Sequence, residues 1–330
     1  MLKPIKVKSP ANIAFVKHWG MSLEGLPLAG SLSMNLSNCT TTTNIEENSA
    51  VGLDQVFIQN YDGKTKTIIQ NIDQRDDKVF AQIELIRALS GSDEKVKITS
   101  SNNFPTKSGI ASSASGFSAL TFGLCNFYGL DLDVNNMARL VAKAGSISAV
   151  RSLCNNFGEV KLNEAGLIEV SDCSEFEKFD LIDIIAIVDQ GEKFSSSLNG
   201  QRVAETSPFF DSRITEVKRN LLDIKTAAKK RFFSEVGRII ELEAVMLHSV
   251  MLTSNPAQKY INAKTLEVVD KVLELRRAGV ECFFTIDAGA NVHIITTKLN
   301  QEVVVENMRS LKSVIDLIVN FPCKGTEIIS

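Results

Sequence analysis

Three features of the amino-acid sequence predict an α+β protein of two domains. The chain has 330 residues, about twice the ~150 residues of a typical domain. Its first third is rich in β-branched and alternating residues broken by loops, whereas much of its second half has helical periodicity. The regular strand–helix alternation of a doubly wound parallel sheet is missing, so the sheets should be largely antiparallel. With 44% hydrophobic and 23% charged residues, the composition excludes a disordered chain, a collagen-like chain and a disulfide-stapled miniprotein.

Strand character covers residues 5–7, 12–16, 31–36 and 40–45. Residues 56–59 and 66–69 flank the polar turn YDGK and read as a hairpin. Residues 77–89 read as a helix, with Val79, Ile83, Leu85, Ile86 and Leu89 giving an apolar face. A strand over 96–100 leads into a loop rich in Gly, Ser and Ala, continued by an apolar helix over 117–128. A second amphipathic helix spans 134–144, and residues 156–162 and 167–170 form a hairpin around NEAG. Residues 182–188 read as a buried strand, followed by the polar tract QGEKFSSSLNG. The domain boundary is expected just before that tract, giving domains of 1–185 and 186–330. Helices over 214–230, 234–252 and 265–278 follow, then strands over 282–287 and 292–296, a helix over 303–311 and a last strand over 313–319.

Lys plus Arg number 36 and Asp plus Glu 39, a net charge of -3. That balance argues against non-specific nucleic-acid binding, which needs many phosphate contacts. It leaves room for a small anionic substrate met by a few concentrated cations. The basic run near 218–230 reads as a solvated helix face. No stretch approaches the ~20 apolar residues of a membrane span, and the N-terminus has no long apolar core of the kind a secretory signal carries. A cytoplasmic protein is expected. The six cysteines form no CxxC pair and the three histidines no HExxH motif. Free thiols and no protein-ligated zinc are therefore expected.

Four segments could carry chemistry. In NNFPTKSGIASSASG (102–116), Pro105, Lys107, Ser108, Gly109, Ala111, Ser112 and Ser113 precede or open a helix. A helix N-terminus offers unpaired N–H groups and partial positive charge, which suit phosphate; the plainer reading is a helix cap with small residues that pack tightly. In PANIAFVKHWG (10–20), Lys17, His18 and Trp19 cluster at a strand end. A solvated Lys beside a His–Trp pair at the core edge explains them equally well. In GSISAVR (145–151), Ser148 and Arg151 share one face if the segment is helical, and Arg151 could grip a carboxylate with two hydrogen bonds. An ordinary cap and an exposed Arg is the alternative. In TIDAGAN (285–291), Asp287 stands at a strand end, either for catalysis or merely to stabilise the bend as an Asx turn.

The order of these segments resembles the diphosphomevalonate decarboxylase family of the GHMP kinase superfamily. PANIAFVKHWG followed by LPLAGSLSMNL is similar to the family's P-x-N-I-A-x-x-K-Y-W-G-K and L-P-x-N-S-S-[IL]-S. NNFPTKSGIASSASGFSAL resembles its nucleotide loop, AKAGSISAVRSL its A-R-x-G-S-G-S-A-C-R-S-L, and TIDAGAN its F-D-A-G-P-N. The resemblance implies a two-domain GHMP kinase-like fold with the active site between the domains. It implies ATP, Mg²⁺ and a homodimer. The implied reaction phosphorylates the tertiary 3-hydroxyl of (R)-5-diphosphomevalonate, then releases phosphate and CO2 to leave isopentenyl diphosphate and ADP. By the same resemblance, Asp287 orients or deprotonates the 3-hydroxyl and Lys17 lies near the transferring phosphoryl group. Arg151 holds the substrate carboxylate, and Asn12 ties the first strand to the site. Ser112, Ser113 and the loop around Gly109 hold ATP phosphates. Ser146 and Ser148 meet the substrate diphosphate, and Ser195 and Ser196 help close the site.

Departures from the family pattern gather at the diphosphate end. Tyr-Trp-Gly-Lys becomes His18-Trp19-Gly20-Met21, and Ser-Gly-Ser becomes Ser146-Ile147-Ser148, which puts a branched side chain near the expected phosphate. Lys107-Ser108 replaces Ala-Ala and adds a cation. A decarboxylase acting on 5-phosphomevalonate or a mevalonate 3,5-bisphosphate, a 3-kinase, and a non-catalytic relative stay open at this point.

Overall fold

The computed structural model describes residues 2–22, 26–48, 52–59, 68–69, 78–105, 110, 112–144, 146–191 and 197–329. Two sheets organise them. The first contains β1 (Ile5–Val16), β2 (Ser31–Glu47), β3 (Gln55–Gln59), β4 (Ile68–Ile69), β5 (Val96–Asn102), β6 (Phe157–Leu162), β7 (Ile168–Asp172) and a closing strand near the C-terminus. On its helical face lie α1 (Lys78–Ser90), α2 (Ser112–Phe127), α3 (Val134–Lys143) and the short α4 (Ile147–Arg151). The second sheet has the order β11-β8-β10-β9, with β8 (Leu181–Ile187), β9 (Cys282–Thr285), β10 (Val292–Thr297) and β11 (Asp316–Asn320). Around it the chain forms α5 (Ser197–Val203), α6 (Phe210–Lys229), α7 (Phe233–Thr253), α8 (Ala263–Arg277) and α9 (Gln301–Arg309). The closing strand, β12 (Glu327–Ile328), pairs with β1. The fold is α+β, as expected. Among the described residues, every strand pairing is antiparallel except β3 with β5. Residue 185 lies inside β8, all of which pairs in the second sheet.

Several elements run longer than their sequence patterns. β1 and β2 are each continuous, because register shifts between Pro10 and Asn12 and between Ala14 and Val16 absorb the breaks in alternation. α2 starts at Ser112, so its small residues form the first helical turn instead of a loop. Gly, Ser and Ala carry no periodic signal there; packing of the following turns on β1 and β2 selects the helix. The turn of the expected YDGK hairpin lies outside the described residues, although β3 and β4 pair antiparallel as a hairpin requires.

One hydrophobic cluster joins the two sheets. Ile13 and Phe15 of β1 and Leu32 and Met34 of β2 share it with Val217 and Ile224 of α6, Val236 and Ile240 of α7, and Phe283 of β9. Phe15, Phe157 and Phe176 stack within it, with ring centroids 5.4–6.2 Å apart. Gly237 lets α7 lie directly on β9. A Cβ there would sit 2.1 Å from Phe283 Cδ2. Gly237→Ala should therefore lower stability by about 1–3 kcal/mol through overpacking. A thermal melt should show a clear fall in Tm, and an unchanged Tm would contradict this packing.

The basic run on α6 is a solvated face. Arg219 pairs with Glu216 and Asp223, Lys225 with Glu159, and Lys229 with Glu175. No disulfide links the six cysteines; five are buried and Cys323 is half-buried. No helix among the described residues is long and apolar enough to cross a membrane.

Candidate active site

The bend after β9 is fastened on both sides, which leaves Asp287 free to point elsewhere. The Asn291 side chain accepts from the Val188 and Asp189 N–H groups and donates to the Asp189 carbonyl. The Thr265 hydroxyl, part of the capping box of α8, donates to the Ala290 carbonyl at 2.7 Å. The Gly289 N–H donates to the Asp287 carbonyl. The Asp287 carboxylate is not used to stabilise the bend. Its Oδ1 lies 2.5 Å from Lys17 Nζ, the strand-end lysine of the first sheet.

Lys17 follows β1 and is 2% exposed, against 22% for Asp287. Its ammonium also donates to the Ala14 carbonyl at 2.9 Å. Burial pulls the Lys17 pKa below its usual range, outweighing the opposing pull of Asp287 and Glu243. Burial alone would raise the Asp287 pKa. Lys17, His293 and Arg151 together outweigh that and hold its carboxyl below the usual carboxylate range. Asp287 is therefore an ionised, weakly basic group with a cation fixed against it. His293 stands on β10 opposite Thr285 and is itself bonded to buried Asp183 at 2.9 Å.

Arg151, at the end of α4, is 3% exposed. Its Nε and Nη2 donate to Asn12 Oδ1 at 3.1 and 3.0 Å, and Nη1 donates to Ser31 Oγ at 2.8 Å. Asn12 in turn donates to the Ser148 carbonyl and to Ser152 Oγ, both at 2.9 Å. Asn12 thus works by orienting Arg151. One N–H on each terminal nitrogen of the guanidinium has no hydrogen-bond partner among the described residues. No described carboxylate forms an ion pair with Arg151, and burial pushes its pKa down to about 10. A buried, oriented cation with two donors unused among the described residues suits a carboxylate held by charge-assisted hydrogen bonds.

The other expected binding residues lie on several elements. Ser112 is half-buried and Ser113 exposed at the start of α2. A Cβ at Gly116, one turn on, would meet no atom of the described residues within 4 Å. Half-buried Pro105 ends the described part of the preceding loop. Ser146 and Ser148 lie at the start of α4 with their hydroxyls 3.1 Å apart. Both His18 ring nitrogens are buried beside the Gln201 side chain, and neither has a partner in good hydrogen-bond geometry among the described residues. Burial, reinforced by Arg151 and Arg213, pushes the His18 pKa to about 4, so it is neutral near pH 7. Trp19 is 6% exposed and packs with Ala204, Phe210 and Tyr260. A Cβ at Gly200 would approach its ring to 2.7 Å, so Trp19 and α5 are in direct contact. Lys107, Ser108, Gly109, Ala111, Ser195 and Ser196 lie outside the described residues.

Comparison with known proteins places this geometry. Residues 9–173 match the diphosphomevalonate decarboxylase-like N-terminal domain, and residues 183–322 match the mevalonate 5-diphosphate decarboxylase C-terminal domain. The chain belongs to the diphosphomevalonate decarboxylase family. It is 30% identical over 341 residues to the diphosphomevalonate decarboxylase of Ganoderma lucidum, covering 95% of this chain and 80% of that protein. The mevalonate diphosphate decarboxylase structure from Staphylococcus aureus superposes with a TM-score of 0.89 at 28% identity, covering 100% of this chain and 99% of that one. MDDEF in complex with MVAPP, AMPPCP and magnesium superposes with a TM-score of 0.88 at 29% identity, covering all of both chains.

One departure of this family member has a structural explanation. The Ile147 side chain is 4% exposed and belongs to the core beneath α2 and α3. Its bulk therefore fills the first domain's interior and does not crowd a phosphate. Ser31, Arg213, Glu243 and His248 also belong to this centre and were not singled out from sequence. Ser31 stood within the LPLAGSLSMNL motif that matches the family. The other three lie on α6 and α7, where nothing in their spacing distinguishes them from ordinary helix residues.

Proposed function

We propose that this protein catalyses the ATP-dependent decarboxylation of (R)-5-diphosphomevalonate to isopentenyl diphosphate, with ADP, phosphate and CO2 as the other products. The observation that carries the reading is the Lys17–Asp287 pair beside an oriented Arg151 with two free donors. An acid–cation pair and a separate carboxylate clamp are what a reaction that first phosphorylates and then decarboxylates one small molecule needs. Family membership and the MDDEF complex with MVAPP, AMPPCP and magnesium support it.

Asp287 accepts a hydrogen bond from the 3-hydroxyl and aims its oxygen at the ATP γ-phosphate. Lys17 makes Asp287 a weak base, so positioning precedes proton transfer, which completes as the phosphoryl group arrives. Lys17 also faces the negative charge on the transferring group. As the phosphate leaves C3, Asp287 returns the proton to it, and the regenerated carboxylate stabilises the positive charge that develops there. Arg151 holds the C1 carboxylate until the C1–C2 bond breaks and CO2 departs.

ATP phosphates are assigned to the N–H groups and serine hydroxyls opening α2, because a helix N-terminus presents unpaired N–H groups and partial positive charge. Among the described residues, no group of three His, Cys, Asp or Glu side chains could hold a metal. The neutral oxygen donors at α2 instead fit a hydrated Mg²⁺ carried by nucleotide phosphates, with Ser112 as a protein-side oxygen. When bound, Mg²⁺ neutralises phosphate charge. Neutral His18 and the serines Ser146 and Ser148 are assigned to the substrate's 5-phosphates as hydrogen-bonding groups. Lys107 and Ser108, with Gly109 and Ala111, belong to the nucleotide loop, and Ser195 and Ser196 to the tract that closes on substrate. On the family resemblance, the enzyme acts in the cytoplasm as a homodimer.

The test is to incubate the protein with MgATP and each of mevalonate, 5-phosphomevalonate and 5-diphosphomevalonate, following ADP and CO2 together. CO2 released only from the diphosphate supports the proposal. CO2 from the monophosphate alone, or ADP without CO2, would overturn the substrate or the reaction.

A further inference from the structure

Lys17 lies one residue beyond the last β1–β2 pair, Val16 with Leu32. Its backbone is buried there without a ladder partner, and buried backbone N–H and C=O groups need partners. Two helices supply them. Glu243 Oε2 on α7 accepts from the Lys17 N–H at 2.8 Å, and Arg213 Nη2 on α6 donates to the Lys17 carbonyl at 3.0 Å. Glu243 and Arg213 also bond to each other through both carboxylate oxygens, at 2.7 and 3.1 Å. Asn220 donates to Glu243 Oε1 at 2.7 Å. Glu243 is 0% exposed and Arg213 2%.

A buried ion pair is poor evidence of stability, since well-packed apolar residues often serve as well. This pair has a more specific use. It grips both ends of one peptide-bonded residue, and that residue carries the ammonium that meets Asp287. α7 also packs under β9, the strand that leads to Asp287, through the Gly237–Phe283 contact. The same helix therefore positions both partners of a bond that spans 270 positions of sequence.

We infer that Glu243, together with Arg213, is a positioning element for Lys17: it fixes the backbone from which Nζ reaches Asp287. The inference rests on the catalytic reading above. The groups facing Lys17 are Asp287 from the β9–β10 bend, Glu243 and His248 from α7, Arg213 from α6 and Arg151 from α4. Of these, Asp287 and Glu243 favour the charged lysine, so removing the Glu243 charge releases its proton at lower pH.

The test compares Glu243→Gln with the parent enzyme in steady-state kinetics across pH. The expected kcat is about 10- to 100-fold lower. The KM values for MgATP and 5-diphosphomevalonate should stay within about twofold, because neither ligand touches Glu243. The alkaline limb of the kcat profile should move down by roughly half a pH unit or more. If Glu243→Gln does not fold, the Arg213→Met/Glu243→Leu double variant replaces the pair with apolar packing and should fold while showing the same loss of kcat. A folded variant of either kind with the parent kcat and alkaline limb overturns the inference. So does failure of both to fold, which would make the pair a folding element only. Parent enzyme that releases no CO2 would instead sink the catalytic reading, whatever the variants do.

Discussion

Asp287→Asn should bind MgATP nearly as well as the parent and fail to turn over. The substitution keeps size and shape, and the amide oxygen can still accept from Lys17, so the site stays assembled. In the proposed mechanism it removes the carboxylate that orients the 3-hydroxyl, takes up its proton and, once that proton has passed to the departing phosphate, faces the developing charge at C3. Loss of a general base alone costs about 10²–10⁴-fold. Here one group serves both halves of the reaction, so kcat should fall by at least about 10³-fold. Nucleotide affinity measured by titration calorimetry should stay within about threefold, because the proposal assigns ATP phosphates to α2 and not to the β9–β10 bend. Turnover within about tenfold of the parent would remove Asp287 from the chemistry.

Arg151→Gln should be nearly as damaging to activity while changing stability little. In the free protein Arg151 is a buried cation with no ion-pair partner among the described residues, and burial has pushed its pKa down to about 10. Removing that charge relieves an unfavourable desolvation. The same substitution takes donors from Asn12 and Ser31, and unsatisfied buried acceptors cost about 1–3 kcal/mol each. These effects oppose one another, so Tm should move by only about 4 °C or less. The kcat/KM for 5-diphosphomevalonate should drop by about 10²- to 10⁴-fold, as expected for losing two charge-assisted bonds to a carboxylate. A large fall in Tm with little change in kcat/KM would make Arg151 a structural residue. A site residue that is poorly paired until substrate arrives exchanges stability for function.

The parts of this account that were legible in the sequence share a physical property: they are local. The α6, α7 and α8 helices declare themselves through periodicity, and the β6–β7 hairpin through NEAG. The misses are places where tertiary structure overrides local pattern. β1 and β2 look like four strands because bulges interrupt their alternation. The small residues that open α2 have no apolar period. β12 has two residues, too few for any pattern. In the site, Lys17, Arg151 and Asp287 stood out only through the order of their motifs, since each alone fits a structural role. Its place in the motif sets Ile147 against phosphate, whereas the fold buries it in the core. Arg213 and Glu243 were invisible because their meaning lies in one backbone carbonyl and one backbone N–H more than 190 residues away.

The catalytic claim depends on phosphorylation and decarboxylation being coupled on one substrate by one site. The most direct measurement is the product ratio when excess MgATP and limiting (R)-5-diphosphomevalonate are consumed to completion, with ADP and CO2 quantified in the same reaction. The arrangement of Lys17, Asp287 and Arg151 predicts one CO2 for each ADP, with isopentenyl diphosphate formed in equal amount. ADP released without matching CO2, or CO2 released without ATP, would contradict it.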